Sequence, residues 1–192
     1  MDLPSDGTAP DDALRQPVRG LQIIHGAMVA GVVAYFAFAL FFKTPERELA
    51  GLAPRGVDSS TFTIALVFAA AAVIASVVVP PIVGRRFVRM TALGQPLPGL
   101  QDGPPSPALL ALDPITRGLF AARQTSLIVG MAILDAATFF AVLVLSQGNV
   151  PGWFVAVPIG LIALMAIRFP TRAGVADWID ARRAEIDAGL HG

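Results

Sequence analysis

One acidic side chain lies in the middle of a long apolar segment, where its chemistry is strongly altered by its surroundings. Asp135 stands about twelve residues past Arg123 and about ten before Leu145. A charged aspartate at the centre of a bilayer costs about 2.5–3.5 kcal/mol on insertion scales. We therefore expect Asp135 to be protonated, hydrogen-bonded or turned towards a water-filled cavity.

Two hydroxyl groups are expected close to this carboxyl group. Thr138 lies on the same helical face as Asp135, and Tyr35 reaches a similar depth in another apolar segment. The sequence thus predicts an intramembrane polar site made of Asp135, Thr138 and Tyr35. Two interpretations of it stay open: Asp135 carries a proton or cation, or it is neutral and hydrogen-bonds between helices.

The stretch around Asp135 resembles a known family. Gly130-Met-Ala-Ile-Leu-Asp135-Ala136 is similar to the Gly-x-Ala-x-x-acid-Ala stretch in the ion-binding helix of rotary ATP synthase c subunits, the proteolipids, and Ala-Arg-Gln at 122–124 is similar to their Arg-Gln-Pro loop. The resemblance covers about residues 121–145 and implies that Asp135 carries a transported proton or sodium ion. Proteolipids have two apolar segments and a glycine-rich first helix, whereas this chain has four segments.

The sequence lacks the common catalytic and metal-binding motifs. There are no cysteines and only two histidines, His25 and His191, which is too few for a zinc triad. Phosphate-binding glycine loops and the Gly-x-Ser-x-Gly turn of hydrolases are absent. We expect no enzyme, no metal and no cofactor, and we expect His25 to be solvated by water or lipid headgroups.

The elements that position these residues are membrane-spanning helices. Hydrophobic residues make up 55% of the chain and charged residues 15%, with a mean hydropathy of +0.67, whereas soluble domains carry about 25% charge. Apolar runs of about 20 residues cross a bilayer as helices. The sequence predicts an all-α integral membrane protein, a bundle of four transmembrane helices, with spans at about 21–42, 62–83, 125–145 and 152–169.

The polar segments divide the chain into three parts. Residues 1–16 are expected to form a flexible cytoplasmic tail, 17–170 the membrane domain, and 171–192 an amphipathic C-terminal helix. A Gly- and Pro-rich cytoplasmic loop is predicted at about 92–112, followed by one long helix from about Pro114 to Ser146.

The C-terminal helix has one apolar stripe, made of Val175, Trp178, Ile179 and Ile186. Two positions for it stay open. The helix lies on the inner leaflet with Trp178 at headgroup depth, or it docks on the cytoplasmic part of its own chain.

Every predicted span has a face of small residues, through which helices in lipid approach each other closely. We expect these faces to hold the bundle together, or to contact a second copy or another membrane protein. They are Ala27, Ala30, Gly31 and Ala34; Ala65, Ala69, Ala72 and Ser76; Ser126, Gly130 and Ala137; and Ala156, Gly160 and Ala163.

The function expected from these features is that of a structural or accessory membrane component, with a proton- or cation-coupled carrier or channel subunit as the alternative. The partners expected are the lipid bilayer and other membrane helices. The formal net charge of +0 gives no general attraction to nucleic acid. Arginine greatly outnumbers the single lysine, Lys43, which is typical of GC-rich bacterial genomes, so we expect the bacterial inner membrane.

Orientation follows from the arginine and lysine residues of the connecting segments, because these concentrate on the cytoplasmic side. Three residues fall on one side of the predicted spans: Lys43, Arg47 and Arg55. Eleven fall on the other: Arg15, Arg19, Arg85, Arg86, Arg89, Arg117, Arg123, Arg168, Arg172, Arg182 and Arg183.

This distribution predicts that both termini are cytoplasmic. A reporter fused after Gly192 is expected to read as cytoplasmic, and one inserted at Val57 as external. Paired phosphatase and fluorescent-protein fusions make the measurement, each serving as the control for the other. The reverse pattern would contradict the orientation.

Overall fold

A computed structural model describes residues 14–41, 59–95, 107–110, 112–147 and 150–190. In these ranges 91% of the residues are helical and none lies in a strand. The helices are α1 (Arg15–Phe41), α2 (Ser59–Ala92), α3 (Pro107–Leu110), α4 (Pro114–Ser146), a 3-10 turn (Gly152–Val155), α5 (Ala156–Ile167) and α6 (Arg172–Leu190).

Three of these helices, α1, α2 and α4, are long and apolar enough to cross a membrane. The number rises to four when Gly152–Ile167 and Arg172–Ala188, which are separated by a short break, are taken together as one span. The expectation of an all-helical chain with several apolar helices of membrane-spanning length is therefore confirmed.

The helix bounds follow local sequence signals. The long helix α4 has the predicted ends, and the Asp113 side chain accepts a hydrogen bond from the Thr116 backbone N–H at 3.0 Å, as an N-cap does. Helix α1 begins at Arg15, and α2 continues through Pro80 and Pro81 to Ala92. Most of the predicted tail at 1–16 and loop at about 92–112 falls outside the described residues.

The described helices form two compact units. We call His25–Pro80 with Ile128–Phe169 the apolar unit. The remainder, taken from Met1–Ile24, Pro81–Leu127 and Pro170–Gly192, is the arginine-rich unit. Among the described residues of the apolar unit, only Asp135 and Arg168 are charged.

The core of the apolar unit is built from the four helices α1, α2, α4 and α5. One cluster of buried side chains draws on all of them, and a second joins α2, α4 and the 3-10 turn around Phe154. The first cluster contains Val32, Ala69, Ala72, Met131, Leu134, Ala137, Leu161 and Met165.

Helices α2 and α4 are antiparallel neighbours. In the apolar unit Phe68 packs edge-on against Phe140, with ring centroids 5.5 Å apart, and Pro80 lies beside Gly130. Moving twelve residues forward along α2 thus corresponds to moving ten residues back along α4. In the arginine-rich unit the same two helices touch where Gly118 leaves room for Thr91: a Cβ atom on Gly118 would come within 2.5 Å of the Thr91 Cγ2.

The small-residue faces behave differently from helix to helix. Those of α2 and α4 are buried, as expected. Those of α1 and α5 do not take part in the described core, because these two helices turn larger side chains such as Val32, Leu161 and Met165 inward. Their small residues are exposed: Ala27, Ala30, Gly31, Ala34, Ala156, Gly160 and Ala163.

The arginine-rich unit has its own apolar core, and α6 supplies much of it. Val175 and Ile179 are 1% and 2% exposed, and they pack with Leu119 and Phe120 of α4 and with Val18 of α1. The apolar stripe of α6 therefore contacts its own chain. The sequence left two positions open for this helix, and in the structure α6 docks on its own chain.

Polar contacts also hold α6 in the arginine-rich unit. Arg183 donates to the Asp113 carboxylate and to the Thr116 hydroxyl, both at 3.4 Å. Burial raises the pKa of Asp113, but hydrogen bonds from Thr116, the charge of Arg183 and the Ile115 N–H outweigh it, so this pKa lies below its ordinary value. The contribution of this carboxylate to stability is present above the ordinary aspartate pKa and is lost as pH falls through the lowered one.

Candidate functional site

Asp135 lies on α4 and is half-buried. Its Oδ1 atom is fully buried and accepts no hydrogen bond from the described part of the chain. The Asp135 Oδ1 atom therefore does not make the interhelical hydrogen bond of the structural interpretation. A buried carboxyl oxygen without a donor costs free energy, so this position is unusual in an otherwise apolar unit.

The two hydroxyl residues predicted to accompany Asp135 are engaged elsewhere. Thr138 is fully buried, and its Oγ1 donates to the Leu134 carbonyl of its own helix at 2.7 Å. Tyr35 packs against Phe139, one turn beyond Asp135, with ring centroids 4.9 Å apart. The fold thus brings Tyr35 of α1 near the turn that carries Asp135, but no hydrogen-bonded network joins the three predicted residues within the described ranges.

The other charged residue among the described residues of the apolar unit, Arg168, is used to satisfy a backbone carbonyl. Its Nη1 donates to the Ser76 carbonyl oxygen on α2 at 2.8 Å. That oxygen is four residues before Pro80, which has no N–H to complete the helical hydrogen bond. Arg168 therefore replaces the donor that the proline removed, and it does so where Ser76 is only 2% exposed.

Gly130 of α4 makes room for this contact. A Cβ atom at Gly130 would lie 3.1 Å from the Pro80 Cγ, 3.6 Å from the Ser76 oxygen and 3.7 Å from the Arg168 Nη1. The absence of a side chain lets α4 approach the proline and the guanidinium together. We call Ser76, Pro80, Gly130 and Arg168 the proline node.

A second side chain satisfies the end of α5. The ring of His25 on α1 is 3% exposed, and its Nε2 lies 2.9 Å from the Met165 carbonyl oxygen. Because a carbonyl oxygen only accepts, Nε2 carries the proton. The ring also packs edge-on against Phe169, at 5.2 Å between centroids. The expectation that water or headgroups solvate His25 is wrong, since a terminal helix carbonyl is its partner.

The sequence alone did not predict the roles of Arg168 and His25, although it contains a signal for the role of Arg168. Each proline inside a helix leaves the carbonyl four residues earlier without a donor, so Pro80 predicts that the Ser76 carbonyl lacks its helical hydrogen bond. Arg168 can be identified as the donor only when the contact between the end of α5 and α2 is known. No local sequence pattern predicts that contact. His25 has no comparable local signal.

No cluster of three or more His, Cys, Asp or Glu residues that could hold a metal ion occurs within the described ranges. A groove of about 610 Å³ beside α2 is lined by Ser60, Thr63, Ile64, Val67, Phe68 and Ala71, none of them an acid, base or strong nucleophile.

The proline node predicts that Arg168 and Pro80 are coupled. Replacing Arg168 by Met is expected to lower the free energy of unfolding by about 1 kcal/mol, within the range of intramembrane hydrogen bonds. In a Pro80→Ala background the loss should shrink, because residue 80 then donates its own N–H to Ser76. Arg19→Met, at an exposed position on α1, is the control and should change stability by less than about 0.5 kcal/mol. Unfolding in mixed detergent micelles gives the double-mutant cycle; equal losses in both backgrounds would disprove the coupling.

Comparisons with known proteins leave the resemblance of the Asp135 stretch to proteolipids untested. No protein-family model matches the chain, and neither a curated protein nor a solved structure is significantly similar to it. The resemblance stays a prediction, and the roles of Arg168 and His25 rest on contacts within the chain.

Proposed function

We propose that this chain is a four-pass protein of the bacterial inner membrane that acts as a structural or accessory component of a membrane assembly. The observation that carries the proposal is the distribution of charge: the described apolar unit has two charged residues, and one of them, Arg168, is bonded to a backbone carbonyl. In this proposal α1, α2, α4 and the Gly152–Ile167 segment form a four-helix bundle in the bilayer.

The orientation proposed is the one with both termini in the cytoplasm. Every described arginine except Arg168 belongs to the arginine-rich unit. Cytoplasmic segments carry such an excess of positive residues. The arginine-rich unit is then the cytoplasmic part of the protein.

A structural role fits the way in which polar groups are used. Arg168 and His25 complete backbone hydrogen bonds, while Ser76, Ser126 and Thr138 donate to carbonyls of their own helices. Each of these groups has a partner within the chain. None of them is left to activate a substrate, which is why we propose no enzymatic activity.

The partner in the proposed assembly is a second copy of this chain, contacted through the small-residue face of α1. This face is exposed, and a Cβ atom at Gly31 would have no neighbour within 4 Å. Small residues allow close helix contact in lipid. A two-fold arrangement would place the same face of α1 on both sides of the interface.

Cysteine cross-linking tests this contact. The chain has no cysteine, so each disulfide formed must involve the residue introduced. Ala30→Cys on the small-residue face is expected to give a disulfide-linked dimer as its main product upon mild oxidation in membranes. Val67→Cys, on the exposed face of α2, is the matched control and should stay mainly monomeric. Absence of dimer from Ala30→Cys, or equal dimer from both variants, would rule out the α1 contact.

One observation favours a second candidate function, an ion-coupled carrier or channel subunit. The buried Oδ1 atom of Asp135 accepts no hydrogen bond from the described residues. A carboxyl group held this way can exchange a proton or cation if an ion pathway reaches it. The proteolipid resemblance points to the same residue.

Flux through reconstituted vesicles separates the two candidates. For a structural component we expect proton and sodium flux at the level of protein-free vesicles, both for the parent and for Asp135→Asn. The amide keeps the size of the side chain, so the variant should fold like the parent, and circular dichroism with thermal unfolding serves as the control. Flux in the parent that disappears in Asp135→Asn, with carbodiimide labelling of Asp135, would replace the structural proposal by the carrier.

A further inference from the structure

The outward face of α2 changes abruptly from apolar to cationic. In the arginine-rich unit this face begins with Ile82, which is 61% exposed. Within two further turns the exposed residues become Arg85 and Arg89. These three positions recur at the spacing that places residues on one side of an α-helix.

The face is part of α2, which runs without interruption from Ser59 to Ala92. Arg86 lies at the edge of the same face and is also exposed. The opposite side of α2 is occupied, since Gly84 lies against the Ser126 hydroxyl of α4.

The three arginines have no acidic partner in the described part of the chain. Two ion pairs found there, Arg182 with Glu185 and Arg183 with Asp113, each use an arginine of α6. Three adjacent exposed guanidinium groups repel each other and favour an anion between them. Guanidinium binds phosphate oxygens in a bidentate way, which makes arginine well suited to this ligand.

We propose that Arg85, Arg86 and Arg89 bind the phosphate of an anionic phospholipid headgroup, with an acyl chain of that lipid along Ile82. The inference rests on the membrane placement proposed above. An exposed isoleucine that lies one turn before a cationic cluster matches the two parts of a phospholipid, whereas a free phosphate ion would leave Ile82 without a role. The ligand class is therefore an anionic lipid of the cytoplasmic leaflet.

Lipid binding to the purified full-length protein tests the site. Native mass spectrometry in detergent measures the affinity for phosphatidylglycerol and for the zwitterionic phosphatidylcholine. Each arginine near an anionic headgroup contributes about a fivefold gain in affinity. Arg85→Gln with Arg89→Gln is therefore expected to weaken phosphatidylglycerol binding by about 25-fold and to leave phosphatidylcholine binding unchanged.

Two further measurements test whether binding needs the positive charges at 85 and 89 and whether the ligand is a lipid instead of free phosphate. The matched control, Arg85→Lys with Arg89→Lys, keeps both positive charges and should lose less than about fivefold in affinity. Inorganic phosphate at millimolar concentration should not displace the bound lipid. Equal affinity for the two lipids, an unchanged affinity in the Gln variant, or displacement by phosphate would overturn the assignment. The reporter fusions described above test the membrane placement separately, so the failure of one inference is distinguishable from the failure of the other.

Discussion

The close approach of α2 and α4 is the constraint on which the other contacts depend. Ala65, Ala69, Ala72 and Ser76 of α2 are buried, and Gly130 of α4 faces the proline where α2 loses a backbone donor. With α2 and α4 in lipid, as proposed, the hydrophobic effect would not bring the two helices together, so contact area and hydrogen bonds would have to do so. A larger residue than glycine at 130 would displace Pro80, the Ser76 carbonyl or the guanidinium of Arg168.

Backbone carbonyls that can accept from a side chain explain where two polar side chains of the apolar unit lie. Pro80 leaves the Ser76 carbonyl without its helical donor, and the Met165 carbonyl at the end of α5 accepts from the Arg168 N–H at 3.2 Å and also from the His25 ring. An apolar environment makes an unsatisfied carbonyl costly. Arg168 and His25 act as donors at these two places, so both positions follow from the backbone rather than from a reaction.

The sequence predicted the elements better than the contacts. Runs of apolar residues gave the long helices, and Asp113-Pro114 gave the start of α4, because these signals are local. The direction in which a helix turns is set by neighbouring helices. The sequence therefore left open whether the small residues of each span pack inside the bundle or contact another protein, and those of α1 and α5 are exposed. For the candidate site, the sequence singled out Asp135 by its isolation among apolar residues. It did not reveal Arg168 and His25 as carbonyl partners, since these bonds join residues about 90 and 140 positions apart.

The docking of α6 has a consequence for the timing of synthesis. Leu119 and Phe120 on α4 are covered by Val175 and Ile179, which follow about 55 residues later in the chain. At a translation rate of roughly 5–20 residues per second, this delay lasts roughly 3–11 s. During that interval the start of α4 has emerged from the ribosome while its apolar cover has not yet emerged. The nascent chain thus presents an unprotected hydrophobic surface to chaperones and proteases before the arginine-rich unit can close.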